Sequence, residues 1–478
     1  MGMLKLTETA RLAIFLPGIV LAGLALGGCK GPATRSEKQA RGTFELVAAT
    51  YRPHSQKPPL PALTSGSSLS NYLAFAMLNQ PKVEAAFYDW EASVERITEA
   101  RALPDPQFTF QMDIQNIVTS IMPGLMGSIP WPEKLRVGAQ IASAESQAKY
   151  AAFQSVVLAS AFEVKRAYYQ LYFSAEKIQV NQTTIDLLGD LEKLARAQNE
   201  VGKVTLQDVL RAQIEQDRLN NELANLEDSR LSLLAQFKAA LGLGPNDPTP
   251  PVPGRFESTP LDLTADKLFE TALARNTRLK AMEAETRAAE ASLILAKKAG
   301  MPDFSLGLMA DARMSPPLYR PLGTVSLPIW RDKIAAQIAD AQANKRSAAA
   351  RLTDEQIALA VDFAGRTYLY REATRNLALL DERLLPKARQ SLEVARSGYL
   401  SGQIDFFNLS DAERTLLGFQ LEKVEAATQR EIVLAELSLI IQGMPPSGAP
   451  MVSGSAGRMN NGGGGAPAPA KKMNPGPM

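Results

Sequence analysis

Histidine and cysteine are almost absent: the 478 residues contain one of each, His54 and Cys29. A disulfide framework needs cysteines in pairs, and a His-based triad or Cys/His metal cluster needs partners that this chain does not supply. An excess of charge of one sign is also lacking. Lys and Arg number 52 against 50 Asp and Glu, so there is none of the basic surplus of a nucleic-acid binder. Beyond the first thirty residues there is no apolar run long enough to span a bilayer as a helix, which excludes a helical transmembrane bundle. Gly242 and Gly244 follow a helical stretch rather than a strand, so they stop a helix instead of cradling a phosphate. Neither an enzyme nor a resident metal is expected.

What is present is one design used twice. Pro104-Asp105 and Pro302-Asp303 each end a long polar helical run. Alternating segments follow: Phe108, Phe110, Met112 and Ile114 in the first copy, Phe304, Leu306 and Leu308 in the second. Such period-two spacing belongs to a strand with one apolar face. After a Pro/Gly/Ser-rich tip, return segments carry Ile129-Pro130-Trp131 and Leu327-Pro328-Ile329-Trp330. Pro302 lies 198 residues after Pro104, and Pro328 lies 198 after Pro130. Tyr368, Gly402 and Pro445 lie 200 residues after Tyr168, Gly202 and Pro245. A solenoid repeats every ~20–50 residues, so this is a tandem duplication of half a protein, each half reading helix, strand, loop, strand, helix.

Residues 1–28 read as a signal peptide, with Lys5 and Arg11 ahead of an apolar stretch from Leu12 to Leu26. Leu26-Gly27-Gly28-Cys29 resembles a bacterial lipobox, whose cysteine accepts a diacylglyceryl chain and further acylation such as palmitate. An ordinary signal peptide that contains a cysteine is the alternative. Residues 29–65, rich in Pro, Ser, Lys and Arg, are expected to form an extended acylated tether. The first repeat, 66–244, opens with a helix over Leu69–Leu103 capped by Ser68 or Ser70. After its strand pair comes a helix over Ser143–Glu200, where Val157, Val164, Leu171, Ile178 and Ile185 keep seven-residue spacing. At ~1.5 Å per residue it would reach ~87 Å. The chain turns at Val201-Gly202-Lys203 and returns over Leu206–Leu241. Residues 245–262 hold six prolines and read as a linker. The second repeat, 263–443, predicts helices over Ala265–Lys298, Asp332–Ser397 and Phe406–Ile441, with a turn at Gly398–Gly402. In its long helix Phe363, Tyr370, Leu377 and Leu384 keep the same spacing. The tail, 444–478, is biased to Gly, Pro, Ala and Asn and is expected to lack a fold. Its five methionines are irregularly spaced and have no cysteine beside them, which argues against a soft-metal site.

Strands of roughly eight to ten residues approach the ~9–11 that cross a bilayer at a tilt. Four cannot close on themselves, since the smallest single-chain barrels have ~8, and an open edge is not tolerated in lipid. If they enter a membrane, several chains must share one barrel. Three copies supply twelve strands, and the long helices would continue that cylinder as a tunnel.

The duplication, the lipobox, the Ile129-Pro130-Trp131-Pro132-Glu133-Lys134-Leu135 run and the glycine turns resemble the TolC family of outer-membrane efflux channels over residues 66–443. The Pro-Trp-Pro-Glu-Lys run is most similar to lipidated members that serve heavy-metal and resistance-nodulation-division exporters. The resemblance implies a fold that is mainly α with a transmembrane β portion: a homotrimer with a 12-stranded β-barrel on a long α-helical barrel, anchored in the outer membrane through lipid on Cys29. Lys30, where an Asp would favour retention at the inner membrane, fits that destination. A periplasmic adaptor and an inner-membrane pump are the implied partners, and no cofactor beyond the lipid. Gly202, Lys203, Val204, Gly402, Gln403 and Ile404 match the tips that form the aperture and meet the adaptor. Where the family often places two acids three residues apart, this chain has Asn408 and Asp411. Asp405 or Asp208 could take the missing place, and for each aspartate a solvated helix face or N-cap is the plainer role. Trp131 and Trp330 fit either an interfacial aromatic belt or packing at the strand-helix junction. The expected function is a passive exit duct; a coiled-coil lipoprotein scaffold without a pore is the alternative.

Overall fold

The computed structural model describes residues 33–114, 118–252, 256, 265–311, 314, 316 and 318–442. Cys29, the tail and half of the proline-rich linker lie outside the described residues. Helix α1 spans Arg35–Tyr51 and is capped by Thr34, whose hydroxyl accepts from the Glu37 backbone N–H. This corrects the extended reading of residues 29–65. Prolines are confined to Pro32 and to positions from Pro53 onward, and the stretch between them carries an apolar stripe of Ala40, Phe44, Ala48 and Tyr51. His54 sits in the short 3-10 turn Pro53–Ser55 that follows.

The first half continues with α2 (Leu69–Asn79), α3 (Pro81–Arg101), β1 (Gln107–Ile114), β2 (Val118–Ile129), α4 (Pro132–Glu200) and α5 (Leu206–Ala240). The second has α6 (Ala265–Arg275), α7 (Thr277–Lys298), β3 (Asp303–Asp311), β4 (Leu318–Ser326), α8 (Arg331–Leu379), a π turn (Leu380–Leu384), α9 (Leu385–Leu400) and α10 (Phe406–Gln442). Each opening helix, expected to be continuous, is broken once. Gln80 is held extended ahead of Pro81, and Asn276 caps α7 by accepting from the Leu279 N–H. α4 starts eleven residues before the expected Ser143, because Pro132 occupies its first turn, where a missing N–H costs nothing. Its 69 residues reach ~104 Å at ~1.5 Å each. In the second half Pro386 cannot donate to the helix behind it, and the π turn just before it absorbs the mismatch.

The four strands form one antiparallel sheet in the order β1-β2-β3-β4. The two hairpins are joined where Ile129 of β2 stands opposite Phe304 of β3. α4 is the hub of the helical part, with 22 buried residues along its length against four in the 49 residues of α8. Tyr72, Tyr168 and Phe237 centre the core where α2, α4 and α5 meet, and Trp90, Phe87 and Phe153 hold α1 and α3 against α4.

Candidate functional site

The sheet register sorts side chains onto two faces. On one, Phe108 faces Leu125, Leu125 faces Leu308, and Leu308 faces Pro321; Phe304 and Val325 pair beside them. Most of these apolar side chains are solvent-exposed in the protomer. The other face carries Gln107, Thr109, Gln111, Ser128, Ser305, Thr324 and Arg320, interrupted by methionines. A sheet that is apolar and exposed on one side and polar on the other suits lipid against an aqueous lumen. Within the described sheet, β1 and β4 pair on one side only. Among the described residues no helix is long and apolar enough to cross a membrane.

A polar clamp fixes the sheet to the helices. The Trp131 N–H donates to Asp303 Oδ1 at 2.9 Å, and Lys134 Nζ reaches both oxygens of that carboxylate at 2.9 and 2.8 Å. Lys298 at the end of α7 pairs with Glu133 at 2.8 Å. Trp131 sits near Phe304, with ring centroids 6.5 Å apart, while Trp330 stands exposed at the start of α8. Trp131 is thus half-buried beside Phe304, and Trp330 is exposed.

At the opposite ends of the long helices lie two tips. Gly202 and Gly402 have φ of 73° and 74°, the left-handed region where a side chain would be strained. Lys203 N–H closes onto the Gln198 carbonyl at 2.9 Å, and Gln403 N–H onto that of Gly398 at 2.8 Å, the bonding of helix ends sealed by glycine. Asn199 Nδ2 then ties the first tip by donating to the Val204 carbonyl at 2.8 Å. In the second tip Asp405 accepts from the Asn408 N–H at 3.0 Å and its side-chain amide at 2.8 Å, so it is the N-cap of α10. Asp411 is exposed beside a groove of about 660 Å³ lined by Val394, Gly398, Ile404 and Asn408.

The structure brings the tips together at a corner that the sequence reading had not assembled. Burial pushes the Asp208 carboxyl up; Arg211 opposes this and Asp405 adds to it. Burial, with Asp208 nearby, pushes the Tyr399 hydroxyl up to about 12. Tyr399 packs on Phe406, and around them Leu188, Leu191, Val209 and Leu409 close one apolar cluster drawn from all four helices. Asp208 is thus half-buried at that corner, while Asp411 is exposed. One turn farther along, Arg414 of α10 pairs with Glu215 of α5, next to the buried Glu413. Glu413 was also missed, although Phe406, Leu409 and Glu413 share a helix face that the spacing shows. No group of three His, Cys, Asp or Glu that could hold a metal occurs among the described residues.

The profile of the outer membrane efflux protein family matches residues 75–243 and 268–441, one segment in each half. The chain belongs to that family. Solved structures agree on the fold. The outer membrane protein VceC from Vibrio cholerae superposes with a TM-score of 0.67 at 15% identity, over 78% of this chain and 96% of that one. CusC gives 0.68 at 14%, over 81% and 98%, and the MtrE outer membrane channel of Neisseria gonorrhoeae 0.65 at 16%, over 81% and 97%. No curated protein matches the sequence. The chain is thus an outer membrane efflux protein with the fold of those outer-membrane channel structures.

Proposed function

We propose that this efflux protein is the passive exit duct of a tripartite exporter, built by three copies whose sheets join edge to edge into a 12-stranded barrel. The observation that carries the reading is the two-faced sheet with β1 and β4 both open. In lipid those edge N–H and C=O groups need partners, and a second copy's sheet supplies them. The helices below would line a tunnel through the periplasm. Energy would come from an inner-membrane pump through an adaptor, and selectivity from charge at the aperture. A scaffold without a pore has no use for an exposed apolar sheet face.

Lipidation of Cys29 fits the course of α1. Arg101, at the α3 end nearest β1, pairs with Glu37 near the start of α1 at 2.8 Å, so α1 begins on the sheet side. The six residues from Cys29 to Arg35 reach at most ~20 Å when extended, which holds an acyl chain close to the membrane. Gly202, Lys203, Val204, Gly402, Gln403 and Ile404 would meet the adaptor, with Asn408 and Asp411 beside the aperture. CusC is described as forming a transmembrane channel, and the Pro-Trp-Pro-Glu-Lys run resembles that of the family's heavy-metal members. Single-channel recording of the purified protein in planar bilayers tests the duct. Discrete conductance steps are expected, together with a heat-resistant trimer in outer-membrane extracts. A monomer that neither conducts nor fractionates with the outer membrane would return the scaffold.

A further inference from the structure

Glu413 is an anomaly of the tip bundle. Its residue is only 3% exposed, and neither carboxylate oxygen has a hydrogen-bond partner. It occupies the stripe of α10 that also buries Phe406 and Leu409 in the seam between the two helical hairpins. The repeat shows what is unusual. Two hundred residues earlier stands Gln213, whose amide donates to Glu192 at 2.9 Å. The second-half counterpart of Glu192 is Leu392, which packs against the same apolar cluster. The first hairpin therefore has an amide with a polar partner where the second has an acid in an apolar setting.

The charged groups on the elements around it do not neutralise it. Glu215 of α5 is engaged by Arg414. On α4, Glu192 pairs with Arg196, and Lys193 pairs with Asp190. Glu393 and Arg396 on α9 and Asp411 on α10 are exposed. Arg414, the next residue along α10, is already committed to Glu215.

We propose that Glu413 is a proton-controlled latch on the tip: neutral, it lies in the apolar seam and lets the hairpins pack; ionised, it forces them apart. Burial, with Glu215 adding repulsion, pushes its carboxyl up to about 8. In hairpins that have separated, the group returns to the ordinary range near 4.5. The packed form therefore binds the proton more tightly. Packing is full below about 4.5, weakens tenfold per pH unit between those values, and levels off above about 8. A tip that is shut in acid and loosened in mildly alkaline surroundings follows.

The test is hydrogen exchange of the purified full-length protein at pH 6 and pH 9, corrected for the intrinsic pH dependence of exchange. It is read on peptides covering 186–220 and 388–420. Wild type should show at least about tenfold faster corrected exchange at pH 9 in both segments, and Glu413→Gln should show none of that acceleration. Glu413→Leu, which keeps the seam apolar, is expected to behave like Glu413→Gln and covers the case in which the amide does not fold. Equal acceleration in either folded variant, or none in wild type, overturns the latch. Exchange is read within the protomer's own helices, so the result stands whether or not the protein conducts.

Discussion

The two halves of the molecule descend from one plan, yet α4 and the α8–α9 rod live in different surroundings. α4 is unbroken and walled in by α1, α3, α5, α7 and α10. α8 touches chiefly α7 and α10, and leaves Ile357, Val361, Tyr368 and Leu379 exposed along its length. Duplication thus repeats secondary structure but not burial. What a helix buries depends on where its copy falls in the row, and the last helix and last strand of this row both end at open flanks. In the proposed trimer a second copy of the chain would cover those flanks.

The comparison breaks most visibly in the sheet, where the halves should behave alike. Phe110→Arg in the first hairpin and Leu308→Arg in the second both charge the exposed apolar face. Each should cost about 2–4 kcal/mol per copy at mid-bilayer, enough to abolish heat-resistant trimers in outer-membrane extracts. Gln111→Arg, on the polar face, should leave trimers intact. An unequal outcome for Phe110 and Leu308 would mean that the two hairpins do not share one lipid-facing surface.

At the tips the halves should differ. Leu206 and Phe406 are repeat counterparts, but the first is 61% exposed and the second 0%. Phe406→Ala empties a packed site beside Tyr399 and should cost about 3–5 kcal/mol. Leu206→Ala should stay within about 0.5 kcal/mol. Denaturant unfolding of the purified protein measures both.

The turn glycines restore the symmetry at smaller scale. Gly202→Ala and Gly402→Ala each place a side chain at positive φ, with open space around it, so only the backbone penalty of about 1–2 kcal/mol applies. Equal losses in the two variants would show that the turns are interchangeable. A larger loss at one would mean that its tip carries strain the other lacks.

How much of this was legible follows from the range of the physics involved. The Gly202 and Gly402 turns, the strand alternation and the prolines at the junctions act over a few residues, and each was read at its position. α1 was missed because a composition averaged over 29–65 hid a proline-free amphipathic stretch inside it. The break at Gln80 was missed although Pro81 marks it, and the one at Asn276 because a mid-helix Asn is not by itself a cap. The π turn before Pro386 was missed because the seven-residue spacing from Phe363 to Leu384 runs into it unchanged. The corner of Asp208, Tyr399 and Phe406 joins residues about 200 apart and exists only once the four helices are packed. Likewise, nothing local marks Glu413 as lacking a partner; that depends on Leu392 standing where the first half has Glu192.

The smallest expected effect on stability bears on the aperture. The repeat exchanges its charges there: Asp208 and Arg211 in the first half stand where the second has Asn408 and Asp411. Arg211 approaches Asp208 at 3.9 Å, so the first half's charges partly cancel. Asp411 is exposed, and its carbonyl, not its carboxylate, accepts from Thr415. In the proposed trimer three copies of this exposed carboxylate at a constriction would favour cations, and Asp411→Asn should reduce cation selectivity in single-channel recordings. Being exposed, the same change should alter stability by no more than about 0.5 kcal/mol. Arg211→Gln frees Asp208 from its counter-charge and should raise cation selectivity only if Asp208 also faces the lumen. Selectivity that ignores Asp411→Asn but responds to Arg211→Gln would transfer the ring from the second hairpin to the first.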